Sequence, residues 1–275
     1  MTAPVTPRFS NQTVVITGAS AGIGLAVASA FAAEGANVVL AARNQQRLDL
    51  VAAKLQRQFP QRILARACDV TERAQVELLL ADAVKQFGRL DILINNAGIG
   101  LIAPFEQVRA ADAQTLFATN FFGPFHCLQA VLPHFKRQRA GHIVNIASFA
   151  GLCAIPNSSV YAATKAALIA LSDAVRIEWQ DYGIHITVVC PGRVRLADTG
   201  FFAAAKKYGE VELYNAPEVS AEAVAHAVLE AVVSRKRTVI LPAHARFTYH
   251  LKKFAPRLLD RILYKKMPRL YSKPV

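Results

Sequence analysis

Little in this chain points to metal, disulfide or membrane-spanning chemistry. The four cysteines, Cys68, Cys127, Cys153 and Cys190, are scattered with no paired spacing, which argues against a disulfide frame or a cysteine-ligated zinc site and fits reduced thiols in a core. The seven histidines show neither HxxxH nor HExxH spacing, so no metal is expected. No apolar run reaches the ~18 residues that a spanning helix needs. The opening MTAPVTPRFSN has one basic residue and no apolar stretch, too little for a secretory signal, so a cytoplasmic protein is expected. Acids are scarce too, 19 against 32 Lys and Arg, giving a formal charge of +13. That surplus is local. From Arg235 to Val275 there are twelve Lys or Arg and a single acid, Asp260, whereas the other 234 residues carry 20 basic and 18 acidic side chains. A basic field across the whole body, of the kind that grips nucleic acid, is thereby excluded; the basicity belongs to a tail.

What the chain has is apolar content. At 275 residues and 53% hydrophobic it can bury a large core, and its length fits one α/β domain better than two. Short β-branched runs at 14–17, 38–41, 63–67, 92–95, 143–147, 184–190 and 238–241 alternate with stretches of helical period near 22–34, 45–58, 72–87, 107–139, 159–182 and 220–234. The fourth helical stretch is broken near Phe122-Pro124. Strands apolar on both faces and separated by helices predict a parallel sheet covered on each side. With right-handed crossovers that is a doubly wound, Rossmann-like sheet. We expect a domain over residues 10–242 and a basic amphipathic extension over 243–275.

Directly after the first strand comes Thr17-Gly18-Ala19-Ser20-Ala21-Gly22-Ile23-Gly24, leading into a helix. Glycines there permit a tight turn and let a pyrophosphate approach backbone amides at the positive end of the helix. The spacing is GxxxGxG rather than GxGxxG, so the general dinucleotide fingerprint is met only in part; the position, at the first crossover, favours binding over mere turn geometry. An acid about 20 residues further on would hold a ribose 2′-hydroxyl. The second strand ends instead in Ala41-Ala42-Arg43-Asn44. A guanidinium pairs with a 2′-phosphate that a carboxylate would repel, so NADP(H) is expected over NAD(H).

Further along stand Asp69, Asn95-Asn96-Ala97-Gly98, Asn120, Ser148, Tyr161-x-x-x-Lys165 and Pro191-Gly192. Together with the glycine turn, this ordered set, running over about residues 12–242, resembles the short-chain dehydrogenase/reductase family. A lone YxxxK is weak, because Tyr249 and Lys253 form a second copy in the tail. Only Tyr161 has a serine 13 residues upstream, a preceding strand and a following crossover. Chemistry selects the same pair. Carbonyl reduction needs an acid to protonate oxygen as hydride reaches carbon, and a lysine one turn away on the same helix face is expected to lower the tyrosine's pKa. Ser148 could donate a hydrogen bond where negative charge builds on the oxygen.

The resemblance implies more. Lys165 would also hold the nicotinamide ribose, and Asn120 would anchor a water in a proton relay. Asp69 would contact the adenine, Asn95 to Gly98 would flank the adenine ribose, and Val194 would meet the nicotinamide amide. The implied dinucleotide site comprises Gly18, Ser20, Gly22, Ile23, Gly24, Arg43, Asp69, Val70, Asn96, Ala97, Gly98, Tyr161, Lys165, Pro191, Gly192 and Val194. A homodimer or homotetramer built on the helices near 107–139 and 159–182 is implied as well. One departure from the family pattern is the late threonine of Pro191-Gly192-Arg193-Val194-Arg195-Leu196-Ala197-Asp198-Thr199, which puts the loop over the nicotinamide in doubt.

Around the centre the residues are apolar: Ile99, Leu101, Phe149, Leu152, Ile155, Phe201 and Phe202. They suggest a hydrophobic carbonyl or alcohol substrate, lipid-like or steroid-like, or else belong to the core; Arg193 and Arg195 leave room for an acidic substrate group. In the tail, Phe247, Leu251, Phe254, Leu258, Leu259, Ile262 and Leu263 recur at helical spacing among Lys and Arg, with Pro256 as a break. This pattern suits a helix on an anionic membrane surface or one packed on its own domain or a second subunit. Two function classes follow: an oxidoreductase, or a non-catalytic dinucleotide-sensing or scaffolding protein on the same fold. The presence of all four reaction-centre residues favours the enzyme.

Overall fold

The computed structural model describes residues 7–59, 62–195, 205–208 and 217–266. In chain order the strands are β1 (Thr13–Thr17), β2 (Asn37–Ala42), β3 (Ile63–Ala67), β4 (Ile92–Asn95), β5 (Leu101–Ile102), β6 (Gly141–Ile146), β7 (Ile184–Pro191), β8 (Arg193–Arg195), β9 (Lys206–Lys207), β10 (Glu218–Ser220) and β11 (Thr238–Leu241). Seven of them form a parallel sheet in the order β11-β7-β6-β4-β1-β2-β3. The helices that matter for the site are α1 (Gly22–Ala33), α2 (Gln45–Gln58), α3 (Arg73–Phe87), α4 (Ala110–Phe117), α5 (Gly123–Gln138), α6 (Phe149–Leu152) and α7 (Ser159–Glu178), followed by one over Ala221–Val233.

The sheet is buried on both faces because successive strand side chains point to opposite sides. Val14 and Ile16 of β1 join α1, α2 and the Ala221–Val233 helix in one core cluster. Val15, between them, joins Leu79 and Leu80 of α3, Leu128 and Phe135 of α5, and Trp179 after α7. This is the doubly wound arrangement expected from the strand composition, and the strand order reverses between β1 and β4. In open α/β sheets a crevice forms at that reversal, beyond the carboxyl ends of the strands. The break expected near Phe122-Pro124 is a π-helical segment, Ala118–Phe122, between α4 and α5. Such a bulge re-aims the residues within it.

Two glycines fix the approach of β1, α1 and β4. Gly18 has φ +66°, a left-handed conformation that costs glycine little, and a Cβ there would lie 2.8 Å from Ala97 Cα. A Cβ on Gly24 would lie 2.3 Å from the Gly18 carbonyl oxygen. Backbone cannot yield to such contacts without moving the turn. Gly24→Ala is therefore expected to destabilise the fold by about 1–3 kcal/mol, read as a lower urea midpoint at unchanged slope; a midpoint equal to wild type would refute the close approach.

Candidate active site

The crevice at the carboxyl edge is a cavity of about 420 Å³ lined by Gly18, Ser20, Gly22, Ile23, Arg43, Asp69, Val70, Asn96, Ala97, Gly98, Ser148, Tyr161, Lys165, Pro191, Gly192 and Val194. Of the expected dinucleotide residues only Gly24 does not line it, serving the close packing just described. The fit to a dinucleotide follows from the backbone. Gly18 and Gly22 both have positive φ, and Ala21, the residue capping α1, offers its free first-turn amides no side-chain acceptor. Anions favour such a helix start. Thr17 Oγ1 accepts hydrogen bonds from the amides of Asn96 and Ala97 (3.0 and 3.1 Å), and Asn96 Nδ2 donates to the carbonyls of Thr17 and Gly18. The glycine turn and the loop after β4 are thus one unit. Asp69 orders its own loop, with Oδ1 accepting from the amide and hydroxyl of Thr71. Arg43 and Arg47 both face the cavity, and among the described residues no carboxylate pairs with either guanidinium.

A second cavity, about 470 Å³ and walled mainly by apolar side chains, adjoins the first, and Ser148, Tyr161 and Gly192 line both. Ser148 follows β6 and caps α6, its Oγ accepting from Ala150 N at 3.1 Å. Tyr161 sits in the first turn of α7 and shares a hydrogen bond with Ser148. One turn on, Lys165 Nζ donates to the Ile146 carbonyl at 2.9 Å and lies 6.0 Å from the centre of the Tyr161 ring. The expectation that Lys165 lowers the Tyr161 pKa is corrected here. Burial pushes the phenol up to about 12, and the Ser148 hydrogen bond opposes that shift. Burial likewise lowers Lys165 to about 8. Desolvation disfavours the charged form of each group, and the ammonium is directed at a carbonyl rather than at the phenol.

Asn120, fully buried in the π segment, lines neither cavity. Its Oδ1 accepts from Ile99 N at 2.9 Å, and its Nδ2 donates to the Ile99 carbonyl and to Thr164 Oγ1. Asn120 therefore couples the loop after Gly98 to α7 at the residue before Lys165. The tail pair Tyr249 and Lys253 also lines neither cavity.

Of the apolar residues expected around a substrate, Leu101, Phe149 and Ile155 line the second cavity, Ile99 lines the first, and Leu152 packs against the core instead. Phe201, Phe202 and Thr199 lie outside the described residues. Arg193 lines the second cavity, and both Arg193 and Arg195 pair with Glu218 (2.8 and 3.4 Å), two cations sharing one carboxylate. On one side, β5 pairs with β9, and Asp112 of α4 accepts from Arg109 Nε (2.9 Å), Lys206 Nζ (2.8 Å) and the Tyr208 hydroxyl (2.5 Å). These donors hold its carboxyl well below the usual range. Two tail helices, Ala245–Phe254 and Pro256–Lys266, split at Pro256 as expected, also border the cavity. Ala245, Thr248, Leu251, Leu259, Ile262 and Leu263 from them complete the wall, so one face of the tail packs on its own domain. Sequence reasoning missed Arg47, Thr17 as a buttress and the tail as a wall. Arg47 had a signal in its i+4 spacing from Arg43.

Comparison with known proteins agrees with this geometry. The pattern of the family described as short chain dehydrogenase matches residues 12–206. A dehydrogenase/reductase SDR family member 7B from Danio rerio is 32% identical over 265 residues, covering 94% of this chain and 86% of that protein. A short-chain dehydrogenase/reductase from Burkholderia phymatum, solved in complex with NAD, superposes with a TM-score of 0.81 at 25% identity, covering 97% of this chain and 98% of that one. An alcohol dehydrogenase from Thermococcus sibiricus complexed with 5-hydroxy-NADP gives 0.73 at 28% identity, covering 84% and 94%. The chain belongs to the short-chain dehydrogenase/reductase family of oxidoreductases, whose fold it shares and whose members bind a nicotinamide dinucleotide.

The low Lys165 value has a measurable consequence. The unfolded chain keeps that proton up to the ordinary lysine range near 10.5, whereas the folded protein releases it near 8. Between about pH 8 and 10 the unfolded state binds more protons, so stability rises with pH. Relative to Lys165→Met, the wild type is expected to gain on the order of 2 kcal/mol across that window. Urea unfolding of both proteins at the two pH values measures it; parallel changes would count against a buried, titrating Lys165.

Proposed function

We propose that this protein is an NADP(H)-dependent oxidoreductase that interconverts a carbonyl and an alcohol on a hydrophobic, lipid-like or steroid-like substrate, with Tyr161 as general acid and base. The observation that carries the reading is the meeting of two cavities at Ser148 and Tyr161, one amide-rich and cationic, the other apolar. When bound in the cavity that Gly18, Gly22 and Lys165 line, a nicotinamide dinucleotide would supply or accept the hydride. Tyr161, held protonated by burial, gives its proton to the substrate oxygen during reduction, and Ser148 donates a hydrogen bond to that oxygen as charge develops. Lys165 positions the nicotinamide side, the Asn96–Gly98 loop flanks the adenine ribose, and Asn120 keeps that loop in register with α7. Asp69 and Val70 border the adenine side.

The NADP(H) preference is supported by two cations, Arg43 and Arg47, at the mouth of the dinucleotide cavity and by the lack of an acid at the end of β2. A cytoplasmic enzyme fits the four free, buried thiols. Among the described residues no helix is long and apolar enough to cross a membrane, and peripheral membrane association through the tail belongs to the same reading. Assembly as a homodimer or homotetramer is supported by Ile177 of α7 and Phe122, which stand 73% and 47% exposed on the helices expected at the interface.

Tyr161→Phe is expected to lower turnover about 100-fold or more while leaving NADPH binding unchanged by fluorescence titration; near-wild-type turnover would overturn the assignment. A sensing or scaffolding role would appear as cofactor binding with no turnover of any carbonyl in a panel followed by NADPH absorbance. Arg43→Ala combined with Arg47→Ala should raise KM for NADPH about tenfold or more and leave KM for NADH nearly unchanged. An equal rise for both, or a wild-type preference for NADH, would remove the NADP(H) reading.

A further inference from the structure

The two tail helices have two occupied roles on opposite faces. Their inner face is pinned to the domain, since Lys252 Nζ donates to the Leu152 carbonyl at 2.6 Å and Leu259 is buried. Their outer face combines large apolar side chains with cations. Phe254 is 78% and Tyr264 81% exposed, Leu258 is half exposed, and Lys253, Arg257 and Arg261 are exposed beside them. Aromatic rings at headgroup depth interleaved with basic side chains suit the boundary of an anionic bilayer. The cavity reaches the surface at the first tail helix, because Phe247 lines it and is nevertheless 73% exposed.

We infer that the outer faces of the two tail helices dock on an anionic lipid surface and that the substrate cavity is filled from that surface. Docking follows from the tail's charge and exposed rings and needs no assumption about catalysis; delivery rests on the oxidoreductase reading above. Charge selects the occupant. The stretch from Arg235 to Val275 carries +11 against +2 for the rest of the chain, so an isologous contact between two tails would set like charges against each other. A nucleic acid would answer the charges but would leave Phe254, Leu258 and Tyr264 in water. A bilayer with anionic headgroups accommodates both features. A hydrophobic substrate dissolved in it would pass Phe247 into the apolar cavity and reach Tyr161 without crossing water.

The test uses the full chain, vesicles of phosphatidylcholine with and without phosphatidylserine, and the variant Lys253→Gln/Arg257→Gln/Arg261→Gln, with circular dichroism as the folding control. Wild type should float with the anionic vesicles and not with the neutral ones. The variant should partition on the order of a hundredfold more weakly. Flotation indifferent to phosphatidylserine, or a folded variant that floats as wild type does, overturns docking. So does a wild-type dimer or nucleic-acid complex that forms through these residues without flotation. For delivery, the NADPH-linked rate on a long-chain ketone dissolved in anionic vesicles should fall in the variant, while the rate on a short water-soluble ketone stays that of wild type. Equal rates on the vesicle-borne ketone overturn delivery. Absence of turnover on both ketones by the wild type removes the oxidoreductase reading, and delivery with it, but leaves the flotation result standing.

Discussion

Thr17 Oγ1 stands where β1 ends, donates to the Ile94 carbonyl and accepts the amides of Asn96 and Ala97. One buried hydroxyl thereby stitches the two strands between which the sheet order reverses. The crevice needs those strands splayed in opposite directions by their crossovers, yet its floor must stay closed. Asn96 completes the stitch by filling the space over Gly18 and Gly24, where a side chain on either glycine would intrude. Loss of this bridge would free two amides and separate the glycine turn from the loop that borders Lys165.

Burial, more than mutual charge, sets the chemical character of the reaction centre. Tyr161 and Lys165 are removed from water together, and each is driven toward its neutral form. The phenol consequently keeps its proton well above neutral pH. The ammonium is occupied by a carbonyl of β6, so its position is settled before any ligand arrives. Asn120 acts at one remove, through the Ile99 backbone and Thr164, and the π turn that carries it is what lets a buried amide reach both.

The sheet was legible because each strand is an unbroken apolar run whose alternate residues serve two different cores, as Val14, Val15 and Ile16 do. Most site residues were legible because a parallel sheet gathers the ends of its strands at one edge, so motifs far apart in sequence are forced to meet. The sense of the Tyr161 shift was not legible, since spacing on a helix gives distance along a face and says nothing of water. Nor could an apolar stripe in the tail reveal its partner. Periodicity distinguished an inner face from an outer one, but only three-dimensional packing put Leu251 and Leu259 in the wall of the same cavity as Phe149. Arg47 fell between these cases, visible as a cation one turn from Arg43 and lacking any sign that α2 starts beside the crevice.

The clasp at Asp112 bears on how such a protein can change over descent. It gathers Arg109, Lys206 and Tyr208 beside β5, whose Leu101 and Ile102 line the second cavity, while the tail forms another part of its wall. Neither attachment touches the glycine turn, the stitch at Thr17 or the β2 end. Apart from the shared Ser148, Tyr161 and Gly192, the two cavities are therefore walled by separate parts of the scaffold. Side chains along the tail can thus change the shape of the second cavity while the glycine turn and the stitch beneath the first stay as they are.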